Sequence, residues 1–290
     1  MMKRHFTVAG CGFDVHFDDA HPFGDHLANY MPFLGDSGES LFSLRFDDCL
    51  ETPEKTPLIV GIAEPEEPGL DVYRCDEGLW VESAPNGKMS PVAHLLVPSE
   101  GSTARLKILD RRFIRFATDN ALMFLFALKT SGKDALEMHS SVVEYQGKGY
   151  MFLGVSGTGK STHSRMWMEA FPEAKLLNDD NPVVRIVDGV PYVFGTPWSG
   201  KTPCYRQACE PLGAIVRLRQ APENRIVELS LPEAYAEVYS STSGFKADEA
   251  MADALHETIV RTVTSVKCYV LDCLPDTDAA ILCNKAVTAR

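Results

Sequence analysis

Basic residues are scarce in this 290-residue chain: 28 Lys and Arg stand against 40 Asp and Glu, a formal net charge of -12. That balance excludes a sequence-independent nucleic-acid binder, which needs Lys and Arg to displace phosphate counterions, so any basic site must be local. Long apolar runs are missing too. The longest, Ala121–Leu128, falls well short of the roughly 18–20 residues of a membrane span and reads as a buried helix. No uninterrupted apolar segment separates Lys3-Arg4 from Asp14, so the N-terminal stretch does not read as a signal peptide and the cytoplasm is the expected compartment. The eight cysteines form no CxxC pair and read as reduced thiols, not as a disulfide framework. There is no internal repeat, low-complexity tract or heptad pattern. What is present is a hydrophobic fraction of 45%, enough to bury a core.

The two parts of the chain differ in pattern. Residues 1–118 read as a β-rich, turn-rich region. Short runs at Leu41–Phe46, Leu58–Ile62, Gly78–Glu82 and Ala93–Val97 are separated by Pro, Gly and Asp clusters, and two acidic, proline-bearing segments, Glu51–Pro57 and Glu64–Pro68, read as surface loops. Residues 119–290 read as a second domain. A buried helix is expected over Thr118–Thr130, then hairpins Ser140–Tyr145/Gly149–Leu153 and Val183–Val187/Tyr192–Phe194 about Gln146-Gly147 and Asp188-Gly189. A strand at Gly213–Leu218, helices at Pro232–Tyr239, Ala247–Val263 and Asp276–Val287, and a strand at Val266–Leu271 complete an α/β pattern of the α+β type.

Residues Gly154-Val155-Ser156-Gly157-Thr158-Gly159-Lys160-Ser161 satisfy G-x-x-x-x-G-K-[ST] between an apolar strand and a helix-compatible stretch. Glycines in such a loop let backbone N–H groups turn inward as an anion nest, and the following helix adds its positive end. The expected nucleotide contacts are Gly154, Ser156, Gly157, Thr158, Gly159, Lys160, Ser161 and Thr162. Lys160 would reach the β/γ phosphates and Ser161 would ligate Mg²⁺. Asp179-Asp180 follow the apolar pair Leu176–Leu177, where a metal-holding carboxylate is expected. Adjacent residues on a strand face opposite ways, so the two acids divide the work unless the backbone turns at Asn181-Pro182. One holds the metal and the other takes a proton from an acceptor hydroxyl. A surface Asx-type turn is the bland alternative.

With these residues on the page, the chain resembles the HPr kinase/phosphorylase and phosphoenolpyruvate carboxykinase superfamily over about Met138 to Leu218. The marks are His139-Ser140-Ser141 before the hairpin, the loop Gly154–Thr162, and Leu177-Asn178-Asp179-Asp180. The block Gly195-Thr196-Pro197-Trp198-Ser199-Gly200-Lys201 is similar to one in bacterial HPr-kinase-related proteins of unassigned substrate. The resemblance implies a mixed-sheet P-loop core, with His139 near the transferred phosphate and Asp179 and Asp180 as base and metal ligand. It departs at Thr162, where HPr kinase has an acidic residue, and the chain is much shorter than a carboxykinase.

Other residues carry weaker signals. Lys201 is a candidate clamp for phosphate or acceptor, and Arg206, Arg217, Arg219 and Arg225 are candidates to neutralise transferred charge. His16, His21 and His26 have no metal-ligand spacing and read as a solvated loop, and Cys204 and Cys209 read as plain thiols. Trp198 reads as a locally packed ring. The expectation is a kinase that uses ATP or another nucleoside triphosphate with Mg²⁺ and phosphorylates a hydroxyl of a small molecule or a protein Ser/Thr. Lys160, Asp179 and His139 would do the chemistry, and Ser161, Asp180 and Asp179 would be near the metal, with the two Asp labels interchangeable. The rivals are a nucleotide switch or hydrolase without a dedicated acceptor, a non-catalytic binding module, and carboxykinase chemistry. Neither a nucleic-acid nor a membrane partner is expected, and homo-oligomerisation is left open.

Overall fold

Three tight turns are each built on two consecutive left-handed residues, Ala9-Gly10, Gln146-Gly147 and Asp188-Gly189. This is the geometry that matches the twist of a two-residue hairpin, and each turn closes one here. The structure is a computed structural model describing residues 2–61, 68–200 and 202–289, apart from the side chain of Asp25. Most of the expected loop at 64–68, and Lys201, lie outside the described residues. The chain forms two compact units, Met1–Lys129 and Thr130–Arg290.

The first unit carries a nine-stranded sheet. Its strands are β1 (Met2–Val8), β2 (Cys11–Phe17), β3 (Leu34–Gly35), β4 (Ser43–Phe46), β5 (Thr56–Ile59), β6 (Gly69–Cys75), β7 (Gly78–Ala84), β8 (Ala93–Pro98) and β9 (Thr103–Ile108), in the order β3-β1-β2-β4-β9-β8-β7-β6-β5. β2, β4 and β9 run parallel and the other pairings are antiparallel. Helix α1 (Ile114–Thr130) buries Ala117, Ala121, Leu122, Leu125 and Phe126. The core is strongly aromatic, with Phe13 stacked on Phe42 at 5.0 Å. The histidines expected in a solvated loop are placed otherwise. His16 lies in β2, and His21 is buried and stacked on Phe46 at 4.7 Å, close to Asp18 and Asp48. The aromatic packing around it accounts for the difference, since a ring face can be buried while its nitrogens lie near carboxylates.

The second unit is a three-layer sandwich. It begins with β10 (Ala135–Met138), β11 (Ser140–Tyr145), β12 (Lys148–Leu153), helix α2 (Lys160–Ala170), β13 (Lys175–Asp180), β14 (Val183–Val187) and β15 (Val190–Phe194). It continues with β16 (Cys209–Gln220), β17 (Arg225–Glu228), α3 (Leu231–Ser241), β18 (Thr242–Ser243), α4 (Glu249–Ser265), β19 (Lys267–Cys273) and α5 (Thr277–Thr288). The sheet order is β13-β11-β12-β16-β15-β14-β10-β18, with β19 pairing β16 and β17. Among the described residues of this unit, only β12, β16 and β19 run parallel to one another.

Alternation along the central strands decides which helix covers which face. Tyr150 and Phe152 of β12 pack with Met166 and Trp167 of α2 and with Ala280 and Cys283 of α5. Met151 and Leu153 point the other way, to Ala234 and Val238 of α3 and Leu255, Ile259 and Val263 of α4. Both faces of β12 are therefore apolar, and a strand buried on both faces reads as a continuous run. α3 starts on a capping box between Ser230 and Glu233, and α4 and α5 start on the caps Asp248 and Asp276. All eight cysteines are free; Cys11, Cys204, Cys268 and Cys283 are buried, whereas Cys49 and Cys209 are exposed. Among the described residues no helix is long and apolar enough to cross a membrane.

Candidate functional site

β12 ends at Leu153 and the chain turns over Gly154–Gly159 before α2 begins at Lys160. Gly157 and Gly159 sit at φ 78° and 106°, where an L side chain is strained. A Cβ on Gly154 would come within 3.0 Å of Thr158. The turn is closed by the Thr158 amide, which donates to Val155 O at 3.2 Å. Val155, Ser156, Gly157 and Ser161 are exposed, so the loop's outer wall meets solvent. The loop thus lies at the carboxyl end of a parallel strand and at the amino end of an eleven-residue helix, the two features that favour an anion.

His139 is the one residue between β10 and β11. β10 pairs with β14 and β18, and β11 with β12 and β13, so the chain switches partners at this point. The His139 amide donates to Ser241 O at 2.8 Å, which anchors the switch. Its side chain then bridges two site groups. Lys160 Nζ lies 2.7 Å from His139 Nε2 and donates to Gly154 O at 3.0 Å. His139 Nδ1 lies 3.5 Å from Asp180 Oδ1. An ammonium can only donate, so Nε2 is the acceptor and the imidazole proton belongs on Nδ1, facing Asp180. The result is a directed chain, Lys160 to His139 to Asp180.

The two acids differ. Asp180 ends β13 at φ 130°, a strained position for a non-glycine residue. Burial pushes its carboxyl above the usual range; His139 and Lys160 pull it back and Asp179 adds to the rise. Its Oδ2 accepts from Asn181 Nδ2 at 3.0 Å. Asp179 is buried, and its Oδ2 has no hydrogen-bond partner among the described residues. The strand register sets Asp179 opposite Ser141 and Asp180 opposite Ser140.

A loop over residues 195–200 braces this corner. Asn178 Nδ2 donates to Thr196 Oγ1 at 3.1 Å and to Trp198 O at 3.2 Å, while Thr196 Oγ1 donates to Asn181 O at 2.8 Å. The Gly200 amide donates to Asp179 O at 2.7 Å, and Ser199 Oγ to the same carbonyl at 3.0 Å. A Cβ at Gly200 would press on Asp180 Cβ and Cγ at 3.2 Å, so glycine there permits the close approach. Trp198 is buried within this brace, so its ring is packed.

The expected residues therefore separate into groups. Lys160, His139 and Asp180 meet, with Gly154, Ser156, Gly157, Thr158, Gly159, Ser161 and Thr162 on the adjoining loop and first helical turn, and Asp179 beside Asp180. Three of the four candidate arginines are ion-paired: Arg206 with Glu144 at 3.1 Å, and Arg217 and Arg219 with Glu237 at 3.3 and 2.9 Å, Arg217 also donating to Ser241 Oγ at 3.4 Å. Sequence reasoning missed Glu137, a buried acid two residues before His139. Its carboxyl is pushed up to about 8 by burial and by Asp180, and its Oε2 has no hydrogen-bond partner among the described residues. A lone acid inside the apolar run Ala135–Met138 was the available signal. It also missed Gln220, whose Nε2 donates to Gly157 O at 3.3 Å and Thr158 O at 3.4 Å.

Among the described residues no group of three or more His, Cys, Asp or Glu forms a metal cage. Mg²⁺ needs none, because it is commonly held by one or two carboxylates plus phosphate and water. The residues present fit such an ion: the unpartnered Asp179 Oδ2 and the carboxyl of Asp180 lie in neighbouring positions of one strand end. No family model and no curated protein matches this chain.

Proposed function

We propose that the chain binds a nucleoside triphosphate with Mg²⁺ at the Gly154–Ser161 P-loop and transfers its γ-phosphoryl group to a hydroxyl. The observation that carries this reading is the convergence of Lys160, His139 and Asp180 at the mouth of a loop with two left-handed glycines. Composition alone had no reason to bring three sequence-distant ionisable groups together there. A mixed-sheet kinase core of the HPr-kinase-like kind is consistent with the antiparallel pairing of β11 with β12 and β13 beside the parallel β12, β16 and β19.

In this reading the loop N–H groups and the amino end of α2 bind phosphate oxygens, and Lys160 adds a fixed positive charge. Ser161 and Asp179 would hold Mg²⁺, whose charge when bound offsets that of the phosphates. Asp180 accepts the proton of the acceptor hydroxyl on its carboxylate. His139 orients that carboxylate through Nδ1–H while accepting from Lys160 at Nε2. Two observations favour this division of the acids over the reverse. The Asp180 side chain is 35% exposed and next to His139, whereas Asp179 is 3% exposed, and a base must be reached by its substrate.

The test is transfer of labelled γ-phosphate from ATP into separated metabolite and protein fractions, with Lys160→Ala as the control. Label appearing in an acceptor with the wild type and not with Lys160→Ala supports a kinase. Steady release of phosphate unaffected by every fraction would replace it with a hydrolase or switch. Undiminished transfer by Lys160→Ala would remove the P-loop from the reaction.

A further inference from the structure

The loop over residues 195–200 braces the corner that carries the two acids, and the chain that leaves it is tied back to the same corner. The Gly200 amide donates to Asp179 O at 2.7 Å, and a Cβ on Gly200 would lie 3.4 Å from Asp180 Oδ2. Ser199 Oγ stands 3.0 Å from Asp179 O and 2.7 Å from Thr202 O, and it accepts from the Cys204 amide at 3.2 Å. Cys204 is buried, and its Sγ donates to Leu177 O of β13 at 3.4 Å. One hydroxyl thus touches both the end of β13 and the backbone of Thr202. Thr202 and Pro203 are nevertheless exposed.

The hydroxyls around Asp180 differ in what they can offer. Ser140 and Ser141, opposite the two acids in the strand register, are fully buried, and Ser141 Oγ lies 2.6 Å from Ser164 Oγ. Thr196 is buried and donates to Asn181 O, and Ser199 holds the contacts just described. Ser156 and Ser161 stand on the loop that would grip the phosphates, whereas in-line transfer brings the acceptor from the side opposite the leaving oxygen. Thr202 is exposed, and its Oγ1 makes no hydrogen bond among the described residues. We infer that Thr202 is a phosphoacceptor, modified in cis by the chain's own site, an inference that rests on the function proposed above. In the transfer the bond from the γ-phosphorus to its bridging oxygen breaks and a bond from that phosphorus to Thr202 Oγ1 forms. The hydroxyl proton passes to the Asp180 carboxylate, and the nucleoside diphosphate leaves. Tethering supplies the proximity, since a hydroxyl two residues from Gly200 needs no binding energy of its own to stay near Asp180. The brace around Asn178, Thr196 and Gly200 then also serves to present an acceptor.

The experiment incubates purified wild-type protein with γ-labelled ATP and Mg²⁺, adds no other acceptor, and locates the label by peptide mass spectrometry. Label is expected on Thr202. Thr202→Ala should lower incorporation by about tenfold or more, and Thr202→Ser should retain it. When wild type is mixed with a size-tagged Lys160→Ala chain, which keeps Thr202, only the wild-type chain should be labelled. Label on a different residue, label on the Lys160→Ala chain, or no label in a protein that binds ATP by calorimetry overturns the inference and leaves the P-loop reading standing. If ATP does not bind the wild type, the P-loop reading fails and takes the acceptor with it. The wild-type map and the mixture decide the matter even if Thr202→Ala misfolds.

Discussion

The two units differ in how far they compensate their buried carboxyls. In the first unit, burial pushes Asp14 upward, but bonds from His5 at 2.8 Å and Lys3 at 3.1 Å, with Ser40, outweigh it and hold the carboxyl below its usual range. Glu82 is held down in the same way by Lys55 and Trp80. Asp119 is an intermediate case. Its close partners, Tyr30 at 2.8 Å and Asn29 at 3.2 Å, are neutral, Arg115 lies at 3.5 Å, and burial prevails, raising it to about 6. In the second unit Glu137 has no cation to offset burial and is pushed up to about 8, and Asp180 is raised while facing His139 and Lys160. Burial raises each acid and its partners pull it back: Asp14 and Glu82 end below their usual range, whereas Asp119 and Asp180 stay above it despite a cation nearby. The acid raised furthest, Glu137, lies in the second unit two residues before His139, and the raised Asp180 faces the same His139.

The largest test of that contrast is Glu137→Gln. Because the folded pKa of Glu137 is raised to about 8, its contribution is complete at low pH and is lost as pH rises from the ordinary carboxylate range toward about 8. Wild-type stability should fall across that window by something on the order of 4 kcal/mol. Urea midpoints measured against pH should show that slope in the wild type and a flattened curve in the variant. An unchanged slope would mean Glu137 is not the group being titrated.

Next in size is Asp180→Asn. Transfer should drop about a hundredfold or more while nucleotide affinity stays within about threefold. Asp179→Asn should weaken Mg²⁺-dependent nucleotide binding as well. The opposite pattern would exchange the two roles, as the sequence reading had them.

The smallest effect belongs to the compensated acid. Asp14→Asn should destabilise the protein by about 1–3 kcal/mol near neutral pH, the cost of losing hydrogen bonds to a charged acceptor. Since the folded pKa of Asp14 is depressed, this stabilisation is present above the ordinary carboxylate range and is lost as pH falls through the folded value. The pH trend is therefore the reverse of that for Glu137. Stability curves with the same sign for both variants would break the comparison.

How much of this was legible in the sequence depended on the kind of signal. The hairpin Ser140–Tyr145/Gly149–Leu153 was readable because Gln146-Gly147 marks a turn between two apolar runs, and the structure places strands there. The helices near Pro232, Ala247 and Asp276 were readable from periodicity and caps. The Gly154–Ser161 run was legible as a loop because glycines mark left-handed backbone, and the structure places Gly157 and Gly159 in that region. The N-terminal hairpin Met2–Phe17 was not seen, since Ala9-Gly10 is a weak turn signal and its strands are rich in charge. Glu137, Gln220 and the bracing of Asp180 by Thr196 and Gly200 depend on tertiary approach between distant segments, which no local pattern encodes. For the same reason His21 looked solvated: nothing nearby in sequence announces the ring of Phe46.

The claim on which the rest depends is that phosphate is held by the Gly154–Ser161 loop through Lys160. Calorimetric titration of ATP with Mg²⁺ into wild-type protein and into Lys160→Ala, with circular dichroism to show that both are folded, tests it most directly. The account predicts saturable binding to the wild type and a loss of at least tenfold in affinity in the variant. Equal affinity in the two folded proteins, or no binding to either, would contradict it.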